Sequence, residues 1–167
     1  MKSIFVNPER CIGCKSCQIQ CAVSHSGKDS IFEAIYAEPT PKPRIFVEYM
    51  GVAVPLQCRH CENAPCMAAC PSNAIKKEDG AVVVEKEKCI GCKACVMVCP
   101  FGAMSIDVGE SKVLKCDLCG GNPACVSACK TGALQYGDIL ELIKEKRKKY
   151  LKSMLKIVAI GGVHECK

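Results

Sequence analysis

The chain has 167 residues, enough for one domain or two very small ones, and 23 Lys and Arg against 17 Asp and Glu give it a formal charge of +6. It has no Trp and only 5% aromatic residues, and much of its 49% apolar fraction is Cys, Ala and Val, which excludes a large hydrocarbon core as the sole source of stability. Seventeen cysteines are therefore expected to help hold it together.

The opening MKSIFVNPERC has no apolar run of signal-peptide length and no twin arginine, which predicts a cytoplasmic chain. In a reducing compartment grouped cysteines are metal ligands more often than disulfides. After an extended SIFV comes the first group, CIGCKSCQIQC, with Cys11, Cys14, Cys17 and Cys21. The run EPTPKPR, residues 38–44, reads as an irregular connection, and RIFVEYMGVAVPL, residues 44–56, as a hairpin. It leads into the second group, CRHCENAPCMAACP, with Cys58, Cys61, Cys66 and Cys70. AIKKEDGAVVVE then predicts a hairpin turning at Asp79 and Gly80. The third group, CIGCKACVMVCP, holds Cys89, Cys92, Cys95 and Cys99 and precedes an extended GAMSIDV. The fourth, CDLCGGNPACVSAC, holds Cys116, Cys119, Cys125 and Cys129 and precedes an extended GALQYGD.

Residues 138–167 predict a C-terminal helix and tail. Asp138 with Glu141 forms a capping box, and Ile139, Leu142, Ile143, Tyr150, Leu151, Met154, Leu155 and Val158 recur near helical spacing until Gly161 and Gly162. Six Lys or Arg between Lys144 and Lys152 suit a helix packed on its own protein, one docked on a partner, or a peripheral membrane contact. The apolar tail is too short to span a bilayer. Cys166 stands outside the four groups and reads as a free surface thiol.

Each group opens with C-x-x-C and has three residues between its third and fourth cysteines. Such a loop curls round a cube of iron and sulfide so that three thiolates reach three irons, with Gly13 and Gly91 allowing close approach or positive φ. The fourth cysteine is expected to begin a short helical turn and, as in the bacterial run C-x2-C-x2-C-x3-C-P, to ligate the other cluster of a pair. Four groups thus predict two pairs and four [4Fe-4S] clusters. Zinc sites are usually built from two C-x-x-C pairs across a longer loop, and a Rieske centre needs paired His ligands where only His25, His60 and His164 exist. Sixteen thiolates and four oxidised cores of about +2 each would bring the chain close to neutral, so its charge points to no nucleic-acid partner. Within the ligating loops, Arg59, Lys15 and Lys93 read as solvated charge and His60 as a loop residue with a local hydrogen bond, against the alternative that they tune a cluster.

The order and spacing of all four groups across residues 3–137 resemble the iron–sulfur subunits of the dimethyl-sulfoxide-reductase type, which serve molybdenum and tungsten enzymes, formate hydrogenlyases and carbon monoxide dehydrogenases. The stretches AVSHSG, VPLQCRHCENAPC and KCDLCGGNPAC are most similar to the ferredoxin-like subunit that partners anaerobic Ni-containing carbon monoxide dehydrogenase. The resemblance implies that the first group pairs with the fourth and the second with the third. Cys11, Cys14, Cys17 and Cys129 would then hold one cluster, and Cys116, Cys119, Cys125 and Cys21 its neighbour. Cys58, Cys61, Cys66 and Cys99 would hold a third, and Cys89, Cys92, Cys95 and Cys70 a fourth. Ala22 and Lys130 follow Cys21 and Cys129 where ferredoxins favour proline.

The fold this implies is α+β: two interleaved ferredoxin-like dicluster modules in residues 1–137, groups 11–21 with 116–129 and groups 58–70 with 89–99, then the C-terminal helix. The implied role is an electron-transfer subunit with no catalytic residue. It would relay electrons between a catalytic oxidoreductase, carbon monoxide dehydrogenase or alternatively a formate dehydrogenase or formate hydrogenlyase, and a hydrogenase or flavin NAD(P) oxidoreductase. A self-sufficient reductase would need a cluster with an open coordination position, and the grouped cysteines are all committed. A purely structural or assembly role is the third reading.

Overall fold

The computed structural model describes residues 2–160, with side chains to residue 155. In chain order it runs β1 (Lys2–Val6), α1 (Ser16–Ser24), α2 (Ile31–Ile35), β2 (Ile45–Tyr49), β3 (Ala53–Gln57), α3 (Pro65–Ala68), β4 (Ile75–Glu78), β5 (Ala81–Val84), α4 (Ala94–Met97), β6 (Met104–Asp107), β7 (Lys112–Lys115), α5 (Ala124–Ser127), β8 (Leu134–Asp138) and α6 (Ile139–Ile160). This is a small mixed helix-and-strand fold in which strands flank the cysteine groups.

Each strand pairs once and antiparallel, so the described residues contain four two-stranded sheets. Three are local hairpins: β2 with β3, β4 with β5, and β6 with β7. The β4–β5 turn falls at Asp79 and Gly80, with φ of 47° and 80°, the doubly positive backbone that an Asp-Gly pair tolerates. The fourth sheet is long-range: β1 pairs with β8 from Lys2 opposite Asp138 to Val6 opposite Leu134. That ribbon ties the strand entering the first cysteine group to the strand leaving the fourth. β7, between the third and fourth groups, has no counterpart among the strands expected from sequence.

Isolated two-stranded ribbons are marginal in water, and here they close over helices that carry sulfur. α1 packs on α5 and α3 on α4. Two buried clusters result. One gathers Ile4, Ile45 and Leu134 around Cys17, Cys21 and Cys125; the other gathers Ile75, Val82 and Val113 around Cys66 and Cys95.

The helical turns sit differently from the expectation. The third cysteine of each group lies inside a helix (Cys17, Cys66, Cys95, Cys125), and in three groups the fourth follows its end. The fourth therefore closes the turn rather than beginning it. Only Cys21 stays inside its helix, because α1 continues to Ser24. Ala22 stands there where Pro71 and Pro100 follow the corresponding cysteines of the second and third groups, and a proline at that point removes a helical N–H.

The helix α6 forms as the periodicity predicts, with Asp138 accepting a hydrogen bond from the Leu140 N–H at 2.9 Å. It packs on β8 through its first turns, where Leu142 lies over Gly137. Further along, Tyr150, Leu151, Met154 and Leu155 are exposed, so the apolar stripe is not laid along the body of the protein. Among the described residues no helix is long and apolar enough to cross a membrane. Val158 lies outside the described side chains, and Gly161, Gly162, His164 and Cys166 outside the described residues.

Gly13 and Gly91 occupy the same place in the two CIGC loops, and both adopt φ of 70°. They differ in room: a Cβ on Gly91 would meet the Ser111 carbonyl oxygen at 2.1 Å, whereas one on Gly13 would meet the Ala53 methyl at 3.3 Å. Alanine at either site costs about 1–2 kcal/mol for the left-handed backbone, and at Gly91 the strand-connecting backbone must also move. Thermal denaturation of iron-loaded protein should rank wild type above Gly13→Ala and Gly13→Ala above Gly91→Ala; equal melting of the two variants would refute the close approach at Ser111.

Candidate metal centre

Eight of the grouped cysteines wall two cavities that mix the second and third groups. Cys58, Cys61 and Cys66 wall a small cavity together with Cys99, from the next group, and the apolar Ala64, Pro65 and Met104. Cys89, Cys92 and Cys95 wall a second together with Cys70, Ile75 and Val113. The remaining sets meet through α1 and α5. The Cys17 thiol interacts electrostatically with those of Cys129, Cys14 and Cys11, and the Cys125 thiol with those of Cys116, Cys21, Cys119 and Cys17.

The third cysteine of each group is buried, as are Cys21 and Cys116. Burial in apolar surroundings pushes Cys17 up to about 11 and Cys116 and Cys125 up to about 12, with the neighbouring thiols adding to the rise. Cys66 and Cys95 are raised for the same first reason. Cys70 and Cys129, the fourth cysteines of their groups, behave oppositely. Burial alone would raise Cys70 and Cys129, but hydrogen bonds outweigh it and their thiols are lowered. The Ala74 N–H donates to the Cys70 sulfur at 3.3 Å and the Leu134 N–H to the Cys129 sulfur at 3.4 Å. Ser72 and Thr131 hydroxyls stand 3.6 and 3.7 Å from the same two sulfurs. The Arg44 N–H donates to Cys21, and the His60 N–H to Cys58, each at 3.3 Å.

This donor set fits an iron–sulfur cluster. Desolvated thiols with raised pKa values stay protonated at neutral pH unless a cation is present, and a coordinating metal deprotonates a thiol outright. Backbone N–H groups aimed at sulfur are the hydrogen bonds that tune such centres.

Polar groups around the sulfurs include several that sequence reasoning missed. His25, four residues after Cys21, points one ring nitrogen at the Cys21 carbonyl (2.7 Å) and the other at Asp117 (3.2 Å). Asp117 also accepts from the Arg44 guanidinium and from the Cys119 N–H at 2.9 Å. Burial alone would raise the Asp117 carboxyl, but these partners hold it well below the usual carboxylate range. Ligand atoms of His25, Asp117 and Cys119 come within 4.8 Å of one another, and the hydrogen bonds just described account for that approach.

His60 departs from its expected place as a loop residue with a local bond. It is 2% exposed, and its Nδ1 accepts from the Val82 N–H of β5 at 2.9 Å. Burial, with the nearby Lys115 charge, pushes it down to about 4, so the ring is neutral at physiological pH. Lys115 is itself buried, and it donates to the carbonyls of Val82 and, at 3.3 Å, Cys116. Val82 thus has its N–H held by one buried side chain and its C=O by the other. The only sequence signal for Lys115 was its position directly before Cys116. Arg59, Lys15 and Lys93 are exposed, as expected of solvated charge.

The Asp117 hydrogen bond, then that to Cys21, raises His25 from its usual 6.5 to about 10. A raised folded-state pKa gives stability that is complete below the unfolded value and is lost as pH climbs through the folded one. His25→Asn should therefore lower stability by roughly 2 kcal/mol at pH 6, and the gap to wild type should close between pH 6.5 and 10. Parallel melts at pH 6 and pH 10 check this; a gap that does not narrow would contradict the charged pair.

Comparison with known proteins agrees with this chemistry. The 4Fe-4S dicluster domain model matches residues 49–139, and a 4Fe-4S binding domain model matches residues 8–24. A Rhodospirillum rubrum protein named iron-sulfur protein is 44% identical over 127 residues, covering 70% of this chain and 67% of that protein. The polyferredoxin-like subunit of the Pyrococcus furiosus aliphatic sulfonate oxidoreductase is 42% identical, covering 71% of this chain and 65% of that protein. Electron transport protein HydN of Escherichia coli is 37% identical, covering 70% of this chain and 74% of that protein. The chain thus spans about two thirds to three quarters of these relatives. On the match over more than half of its length and on relatives of this identity, the chain belongs to the 4Fe-4S dicluster domain family of iron–sulfur proteins.

Proposed function

We propose that the chain is a cytoplasmic electron-transfer subunit carrying four [4Fe-4S] clusters, within an oxidoreductase complex whose chemistry occurs on another chain. The observation that carries this reading is the pair of cavities walled by three cysteines of one group and the last cysteine of another. The proposed ligand sets are Cys11, Cys14, Cys17 and Cys129; Cys116, Cys119, Cys125 and Cys21; Cys58, Cys61, Cys66 and Cys99; and Cys89, Cys92, Cys95 and Cys70. Under this reading residues 1–137 form the two interleaved dicluster modules and residues 138–167 an appended helix and tail.

When bound, each such cluster takes up or gives off one electron at a potential set by charge, hydrogen bonding and exposure. The residues of the chain supply that environment. Apolar side chains such as Met104 and Val113 keep water from the cavities, and the N–H groups of Arg44, His60, Ala74 and Leu134 stabilise negative charge on sulfur. Exposed Cys14 and Cys92 mark where electrons would enter or leave the protein surface.

The family's relatives named as an oxidoreductase subunit and an electron transport protein support a subunit role. We take the catalytic partner to be a Ni-containing carbon monoxide dehydrogenase on the strength of the motif resemblance. A formate dehydrogenase or formate hydrogenlyase type complex is the alternative, and a hydrogenase or flavin NAD(P) oxidoreductase would accept the electrons. Nickel in the co-purified complex favours the first; molybdenum or tungsten favours the second.

Reconstituted protein should hold about sixteen irons and sixteen sulfides per chain by the stoichiometry of four cubanes, and a reproducible value near eight would refute four clusters. The ligand sets make a separate demand on electron paramagnetic resonance spectra: Cys14→Ser and Cys129→Ser should perturb the same one of four signals. Perturbation of different signals would break that set.

A further inference from the structure

Among the described residues the buried polar and charged side chains are Gln57, His60 and Lys115, and Lys115 alone of these carries a formal charge at neutral pH. It is 4% exposed and lines the cavity walled by Cys58, Cys61, Cys66 and Cys99. Its hydrogen bonds go to the carbonyl oxygens of Val82 and Cys116 rather than to a carboxylate. A buried ammonium needs nearby negative charge to offset its desolvation; Lys115 lines the cavity of cysteine sulfurs on one side and a groove with Asp117, Glu78, Glu85 and Glu87 on the other, and its hydrogen bonds go to none of those carboxylates. Lys115 already acts on the sulfurs: burial raises the Cys66 thiol, and the Lys115 charge works against that rise.

The companion cavity, walled by Cys70, Cys89, Cys92 and Cys95, is built differently. The cation in its wall is Lys93, which is exposed, so solvent screens its charge. Arg59, in the wall beside Lys115, is also exposed. The two cavities of one pair thus share a ligand pattern but differ by one desolvated positive charge.

We infer that Lys115 is a positioning residue for electrons: its buried ammonium raises the reduction potential of the cluster held by Cys58, Cys61, Cys66 and Cys99 above that of its partner in the pair. The inference rests on the four-cluster reading given above. Adding an electron makes a cluster more negative by one unit without making or breaking a bond, and a cation in a poorly screened wall favours that reduced state. Cys116, the residue next to Lys115, belongs to the proposed neighbouring set, and its thiol interacts with both Cys58 and Cys21. Lys115 therefore sits at the junction between the two modules, where a higher potential would make the 58/61/66/99 site a resting place for an electron crossing between them.

The test is a dithionite titration of reconstituted full-length protein followed by electron paramagnetic resonance, with iron measured first. Each reductive wave is one electron passing from dithionite to a cluster. Lys115→Gln removes the charge and keeps a donor, Lys115→Met keeps only the stem, and Lys115→Arg keeps the charge. The expected result is a shift to lower potential of one wave out of four in Lys115→Gln or Lys115→Met, namely the wave lost in Cys61→Ser, with Lys115→Arg close to wild type. Unmoved midpoints in a fully loaded Lys115→Gln or Lys115→Met overturn the inference. So does loss of the cluster from both while Lys115→Arg loads, because Lys115 would then act only in holding the fold. Wild-type iron well below sixteen per chain overturns the underlying four-cluster reading, and the iron measurement made before any variant is titrated tells that failure apart.

Discussion

The spacing of three residues between the third and fourth cysteines of every group is the constraint on which the structure turns. A helical turn starts just before each third cysteine and rises about 1.5 Å per residue, so the fourth cysteine, inside α1 or just past the end of α3, α4 or α5, is carried along the axis away from the first three. For the second and third groups this is visible as cavities that mix three cysteines of one group with the last of the other. The helices have to pack in pairs for such mixing to occur, and they do, α1 on α5 and α3 on α4. The long-range β1–β8 ribbon follows from the same demand, since it brings the first group to a partner more than ninety residues away.

This arrangement also accounts for how a chain poor in aromatic residues folds. The buried clusters interleave cysteines with Ile, Val and Leu, so the positions that ordinary cores fill with larger side chains carry sulfur instead. Burial raises the thiols of Cys17, Cys66, Cys95, Cys116 and Cys125, three of them to about 11 or 12. The same desolvation that makes them poor thiolates alone makes their site receptive to a metal cluster, and metal binding and folding become one equilibrium. The lowered thiols, Cys70 and Cys129, lie where the chain turns back and offers N–H groups of residues 74 and 134 to sulfur.

Much of this was legible in the sequence because cysteine spacing and Asp-Gly turns are local signals. The hairpin at Asp79 and Gly80 and the strands after the second, third and fourth groups follow from residues a few positions apart. What was not legible depends on partners distant in sequence. His60 looked like a loop residue, yet it is buried against Val82, twenty-two positions on. The His25, Asp117 and Arg44 network joins three separate segments. Lys115 resembles any lysine in a strand until β5 closes over it. A helix over Ile139–Ile160 is legible in the periodicity, but periodicity cannot say what its apolar stripe faces, and Tyr150, Leu151, Met154 and Leu155 are exposed.

The sharing of cysteines between groups is the central claim, and locating the iron tests it most directly. A crystal structure of the reconstituted protein, with iron positions fixed by anomalous scattering, should contain four cubane sites, with Cys129 bound at the site of Cys11, Cys14 and Cys17 and Cys99 at the site of Cys58, Cys61 and Cys66. Iron held by all four cysteines of any single group, or fewer than four sites in a fully loaded protein, would contradict it.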